Sequence, residues 1–447
     1  MPLILPGNVG SATATTGYDV ANSLRFNDGS SDYLNNTSVS SVTSRFTFTI
    51  SLWVKRSTLG AKSMIGTVGG DSTNFGAIWF DSSDRLNCTE GSGGGTLNFI
   101  TNRLFRDVSA WFHIVLAIDT TQSTESNRVK IYVNGVQETS FSTSTYPPQN
   151  SNMHLNRNGK TQYIGRHTDS TNNYYFDGYI TEVVWVDGQQ LSNTDLGEFD
   201  SDSPNIWKPI DVSGLTFGNN GFYLDFENSG SLGADVSGNS NNFTVNNLTS
   251  VDQTTDTCTN NFCTINSLDN YYASSDFSEG NLKVSTDSSN YSFSRGTIGV
   301  SSGKWYFEHK IVTQVSDHVI GIVSKASTST TDWIGLTADT WGLITNGSNK
   351  CQLSNNNNRT DVSGTLGYPT DGDIIGVYID LDNNKLYFAK NGTLASSTGQ
   401  SLTASSSTTD GFYYPAAGDF TGSVNVMEFN FGSPTFSISS SNSDPNG

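Results

Sequence analysis

The octapeptide RVKIYVNG (residues 128–135) decides how the rest of the chain is read. Val129, Ile131 and Val133 fall on one face and Arg128, Lys130 and Tyr132 on the other, because side chains alternate with period two along a strand. Asn134-Gly135 then supplies two residues that tolerate positive φ, which a two-residue hairpin turn requires. The expected structure is a half-buried strand running into a tight hairpin. A longer stretch, GDIIGVYIDLDNNKLYFAKNG (372–392), repeats the plan: an apolar strand ending at Asp380, a polar turn, a second strand, then Asn391-Gly392. FTFTISLWVK (46–55) and WFHIVLAID (111–119) alternate in the same way and predict further strands.

Composition agrees with this pattern. The chain has 447 residues, room for two cores of ~200 residues each. Its acids are 33 Asp and only 9 Glu, and there are 44 Gly. Asp and Gly favour turns and caps, so long helices are not expected. The best short helix lies around LSNTDLGEF (191–199), with Ser192 or Asn193 as its cap. A net charge of -19 with no basic cluster repels phosphate backbones and removes the footing for nucleic-acid binding. The apolar run in MPLILPGNVG is too short for a signal peptide or a membrane span, so neither is expected. Four cysteines, Cys88, Cys258, Cys263 and Cys351, are too few for a disulfide framework, and Cys258 and Cys263 read as ordinary thiols.

The predicted fold class is all-β, with two β-sandwich domains in tandem; that they are jelly-roll-like is what the family resemblance of their segments implies. The expected divisions are an N-terminal docking segment (1–20), a first sandwich (21–208), a partly ordered connector with one short strand (209–269), a second sandwich (270–438) and a tail (439–447). The connector is placed by its Gly, Asn, Ser and Thr content, interrupted only by GFYLDFEN (221–228).

NSLRFNDGSSDYL (22–34), FTFTISLWVKRS (46–57), WFHIVLAID, RVKIYVNGVQ and YIGRHTDSTNNYYFDGYITEVVWVDGQQLS (163–192) together resemble a laminin-G-like domain of the concanavalin-A-like group. SGKWYFEHKI (302–311), VIGIVS (319–324), the 372–392 hairpin, FYYPAAGD (412–419) and NVMEFNFG (425–432) resemble a SPRY domain. Their pairing, with the opening segment and DVSGNSNNFTVNN (235–247), resembles virion structural proteins of marine tailed phages. That resemblance implies a capsid decoration or tail-associated appendage located in the virion. Its partners would be other virion proteins and host surface glycans or receptors, and it would be a homo-oligomer, most simply a trimer. The alternatives are a soluble carbohydrate-binding lectin or adhesin, and a polysaccharide depolymerase.

No catalytic centre is expected. Glu182 and the next acid, Asp187, are five residues apart and face opposite sides of an uninterrupted strand, so they do not make the carboxylate pair of a glycosidase. The five histidines are dispersed without metal-ligand spacing. No cofactor is expected, although DSTNNYYFD (169–177) or DVSGN (235–239) would offer oxygen ligands if calcium were bound. Candidate ligand contacts are the loop aromatics Tyr174 and Tyr175 in the first domain. In the second they are Trp333, Trp341 and Tyr368, with Arg359 as a polar anchor. Trp53, Trp185 and Trp305 sit in alternating strands and are read as core.

Overall fold

The computed structural model describes residues 17–37, 41–68, 75–91, 96–168, 173–270, 275–287, 291–326, 331–419, 421–433 and 436. Strand makes up 45% of the structure and helix 4%, as the Asp-rich, Glu-poor composition requires. The chain divides into two compact units, the first reaching Asn261 and the second beginning at Phe262.

In the first unit, one sheet runs in the spatial order Val136–Gln137, Val129–Val133, Trp111–Asp119, Thr47–Arg56, Gly178–Asp187, Ser23–Phe26 and Gln253–Thr254. The facing sheet runs Phe141–Thr145, Leu97–Leu104, Arg85–Glu90, Phe75–Phe80, Lys62–Val68, Thr161–Ile164, Tyr33–Thr37 and Thr244–Asn246. All pairings between these strands are antiparallel, and the inward residues of both sheets form one core that includes Phe48, Leu116, Ile131 and Trp185. The second unit repeats the sandwich. One sheet is centred on His318–Val323 and the other on Lys304–Thr313, with Phe307, Ile320, Trp341 and Phe429 in the core between them.

Both hairpins form as expected. Asn134 and Gly135 have φ of 48° and 74°, and Asn391 and Gly392 have 46° and 82°. The asparagines have a second use. The Asn134 side chain accepts from the backbone N–H of His113 at 2.7 Å, and Asn391 accepts from Ile374 at 2.9 Å, so each turn residue also ties down a neighbouring strand. Gly135 is required for another reason: a Cβ there would lie 2.1 Å from the Trp207 ring.

The stretch expected to be a connector belongs, as far as Asn261, to the first sandwich. Phe222–Leu224 pairs with Gly178–Asp187, Thr244–Asn246 with Tyr33–Thr37, and Gln253–Thr254 with Ser23–Phe26. What orders it is polar contact, which hydrophobic periodicity cannot reveal. Asn239 and Asn241 donate to the Gly221 carbonyl at 2.9 and 2.8 Å. Asp256 takes the buried Lys55 ammonium at 2.8 Å and the Trp111 indole N–H at 3.2 Å. The boundary therefore falls at 261/262 rather than at 208 and 269. Of the proposed docking segment, residues 1–16 lie outside the described residues, as does the tail 439–447.

Two smaller readings change. The 191–199 helix is a single 3-10 turn, Asn193–Asp195, with Ser192 as its cap. Arg359 lies on a hairpin between Lys350–Asn355 and Asn358–Asp361, turning on Asn356 and Asn357 at φ of 49° and 57°. Trp53 and Trp185 are buried, but Trp305 is only half-buried and donates to the Ser302 carbonyl at 2.6 Å.

Candidate functional site

The side chains best placed for recognition lie on the outer face of the second sheet of the first sandwich. The site starts at Gly66, whose lack of a side chain lets a hairpin cross the sheet at close range. A Cβ at Gly66 would fall 2.5 Å from His167 Cβ and 2.7 Å from the Arg166 carbonyl oxygen. That hairpin, Arg166–Thr168 with Asn173–Tyr175, brings its rings onto the sheet. The His167 imidazole stacks on Tyr174 with centroids 4.6 Å apart and planes within 16°. Trp79, projecting from the strand below, sits 5.7 Å from His167 and 6.3 Å from Tyr174.

Beside this stack, the Arg166 guanidinium lies over three tyrosines. Its Cζ is 4.7 Å from the Tyr33 ring centroid, 5.0 Å from Tyr163 and 5.5 Å from Tyr175. Such cation–π contacts hold a guanidinium flat and leave its edge for other partners. Tyr33, Tyr163, Tyr174, Tyr175, Trp79 and Arg166 are all half-buried, so their outer surfaces remain in contact with solvent.

Tyr174 and Tyr175 are thus brought together, though on a strand pairing rather than in a loop. Sequence reasoning missed Trp79, Tyr33, Tyr163, Arg166 and His167. Strand alternation does place Tyr33, Tyr163 and Trp79 on one sheet face, but nothing local shows that the hairpin folds back over it.

The candidates in the second sandwich do not gather into a comparable surface. Trp341 lies inside Thr340–Asn346, 2% exposed, and donates its indole N–H to Ser401 at 3.1 Å. This corrects its reading as a loop contact, since it is core. Trp333 is 5% exposed and packs with Val319, Ile334 and Ile344, with the exposed Arg359 guanidinium 4.9 Å above its ring. Tyr368 is exposed.

Comparison with known families matches residues 28–195 to the concanavalin A-like lectin/glucanases superfamily and residues 304–434 to the SPRY domain. The chain carries a concanavalin A-like domain followed by a SPRY domain. No curated protein matches the chain. Similar solved structures include the SPRY domain of human HERC1, at 19% identity and TM-score 0.26 over 33% of this chain and 87% of that one. A candidate carbohydrate binding protein from Bacteroides ovatus is 17% identical at TM-score 0.34, over 51% of this chain and 59% of that one. A heptameric pentraxin from Limulus polyphemus is 12% identical at TM-score 0.30, over 40% and 81%. The concanavalin A-like match stops at 195, whereas the sandwich itself continues to Asn261.

Two arrangements in the concanavalin A-like domain have the parts of a catalytic centre but not its chemistry. Ser51 Oγ is 2.7 Å from His113 Nε2, the spacing of a nucleophile and its base. The indole N–H of Trp207 donates to His113 Nδ1 at 2.8 Å, where a triad would place a carboxylate. An indole nitrogen can only donate, so Nδ1 accepts, Nε2 carries the proton, and that proton points at Ser51. The imidazole therefore cannot take the serine proton. Burial lowers its pKa to about 3.

Glu182 sits at a β-bulge, φ 51°, so the strand is interrupted there, contrary to expectation. Its carboxyl is sealed beneath Tyr223, which donates at 2.6 Å, and burial raises its pKa to about 8. Asp187 points the other way. It accepts from the backbone N–H of Thr43, Ser44 and Asn220 and from the Asn156 amide.

Folding also pairs histidines that the sequence scatters. In the SPRY domain, His309 and His318 meet Nε2 to Nε2 at 3.0 Å in the interior. Of the two calcium stretches, 169–172 lie outside the described residues. In the other, Asp235 spends both carboxylate oxygens on the backbone N–H groups of Tyr223, Ser237 and Asn241, which is a turn-forming role.

The crossing at Gly66 makes a direct prediction. Gly66→Val should push the paired strands Arg166–Thr168 and Asn173–Tyr175 off the sheet and weaken binding at this face at least tenfold, with the far-ultraviolet spectrum unchanged. Equal binding by the variant would show that the hairpin does not build the site.

Proposed function

We propose that the chain is a non-enzymatic recognition and structural protein of a virion. In this reading the concanavalin A-like domain contacts host surface glycans, while the SPRY domain engages neighbouring virion proteins. The observation that carries the glycan role is the aromatic shelf of Trp79, Tyr174, Tyr175, Tyr163 and Tyr33 around Arg166. Half-buried aromatic rings suit the apolar face of a sugar ring, and an adjacent guanidinium supplies directional donors.

The non-enzymatic part is supported by the Trp207 contact that sets the His113 tautomer and by the sealed Glu182 carboxyl. The virion role draws on the tandem order of the two domains and its resemblance to phage structural proteins. A homo-oligomer, a trimer in the simplest case, would match the symmetry of an attachment site on a particle.

Two measurements test the proposal. Mass spectrometry of purified particles should recover the chain in stoichiometric amounts, and the isolated protein should be retained on a glycan surface without releasing oligosaccharides from it. Absence from particles combined with glycan retention would favour a free lectin. Release of oligosaccharides would favour the depolymerase.

A further inference from the structure

The charge around the aromatic shelf points to a class of ligand. The chain carries 42 acidic residues against 23 Lys and Arg, so an isolated cation with no carboxylate beside it is conspicuous. The cations of the sheet beneath it are neutralised: Arg85 by Asp81 at 2.8 Å, Arg103 by Glu138 at 2.9 Å, and Lys62 by Asp28. Arg166 is different. Among the described residues no carboxylate pairs with it, and its one hydrogen bond runs from Nη2 to the Asn173 side-chain oxygen at 2.6 Å. Its Nε is buried without an acceptor, so the edge left to a ligand is the outer one, Nη1 with the remaining N–H of Nη2.

A guanidinium has five N–H donors in one plane, and here its face is already used by Tyr33, Tyr163 and Tyr175. What remains is an edge, and a guanidinium edge matches a carboxylate through two parallel hydrogen bonds. A ring bearing such a carboxylate could then lie against the neighbouring tyrosines.

We infer that the shelf takes an acidic sugar, whose carboxylate accepts from the open edge of Arg166 while its ring rests on the surrounding aromatics. The inference rests on the glycan-binding reading above and narrows it. The net charge of -19 narrows it again, because long-range repulsion grows with the number of charges on the ligand. The fitting ligand is therefore a mostly neutral glycan bearing isolated uronate residues, rather than a dense polyanion.

The test uses the full chain on an array of uronate-containing oligosaccharides printed beside their carboxyl-reduced counterparts, which keep the rings and lose the charge. Wild type should prefer the acidic member of at least one pair by about tenfold, and Arg166→Gln should erase that preference. Arg166→Lys keeps the charge but not the fork and should recover only part of it. A thermal melt of each variant separates lost recognition from lost folding. Tyr175→Leu should weaken both members of the pair alike.

Binding to acidic and reduced members that is equal, and indifferent to Arg166→Gln, would overturn the acidic-sugar inference and leave glycan binding standing. Binding to no oligosaccharide of either kind would overturn the glycan reading itself, and this inference with it.

Discussion

Between pH 5 and pH 8 the two domains should change stability in opposite directions, the concanavalin A-like domain losing it and the SPRY domain gaining it, each by a few kcal/mol at ~1.4 kcal/mol per pKa unit. In the first domain, burial raises Glu90 from 4.5 to about 7 and Glu182 from 4.5 to about 8. A carboxyl whose folded pKa is raised gives stability that is complete below its unfolded pKa and is lost as pH rises through its folded pKa. Above pH 4.5 the unfolded chain gives up these protons while the native domain keeps them, so stability falls until about pH 8. His113, lowered from 6.5 to about 3, opposes this only below pH 6.5.

In the SPRY domain the histidines dominate. His318 is lowered from 6.5 to about 4 by burial, and burial with the neighbouring His318 holds His309 well below 6.5. Below pH 6.5 the unfolded chain binds protons that the native domain refuses, so stability rises with pH up to that point. Asp419, raised by burial from 3.8 to about 6, offsets part of the gain. Calorimetry of the full chain at pH 5, 6.5 and 8 should show one transition moving down and another moving up. Glu182→Gln should flatten the falling transition alone. Two transitions that track each other across this range would refute the assignment.

The second large effect is expected at Asp187. Asp187→Ala should lower the melting point of the concanavalin A-like domain by about 10 °C, from a loss of ~4 kcal/mol. Three backbone N–H groups and the Asn156 amide converge on this carboxylate, which is 2% exposed. Alanine would leave those donors buried without acceptors, and an unmet buried donor costs more than a typical hydrogen bond gains. Asn156 extends the network by accepting from the Trp185 indole at 3.2 Å and from Asn220 at 2.7 Å. Asp187→Asn keeps an acceptor and should lose less. An unchanged melting point for Asp187→Ala, read by circular dichroism, would mean that the network does not hold these segments in place.

Much of the fold was legible because strands and hairpins are local. Alternation in 129–133 needs only adjacent residues, and Asn134-Gly135 announces its own backbone conformation. The order of five such segments was enough for the concanavalin A-like resemblance, and five more for SPRY, both of which the family comparisons match. The connector was misjudged for the same reason. As far as Asn261 its strands are two or three residues long, and its order comes from Asn, Asp and Gln side chains bonding to backbone far away in sequence.

The candidate site was legible only in part. Tyr174 and Tyr175 stand out as adjacent aromatics, but Trp341 looked equally free and is core, because Thr340–Asn346 turns that ring into the sandwich interior against Tyr413. A ring's availability depends on what covers it, and coverage is a property of the sheet rather than of the segment.

The RVKIYVNG hairpin shows both halves of the matter. From sequence alone came the strand, its two faces, the positive-φ turn, the all-β class and two sandwiches in tandem, because each follows from backbone geometry and neighbouring side chains. Only the tertiary structure decided that Gly135 must stay bare for Trp207, and that the same indole sets the protonated nitrogen of His113. It also decided that a hairpin passes over Gly66 to assemble Arg166 with tyrosines from three separate strands. These are contacts between residues distant in sequence, fixed by the packing of whole sheets, and no local pattern encodes them.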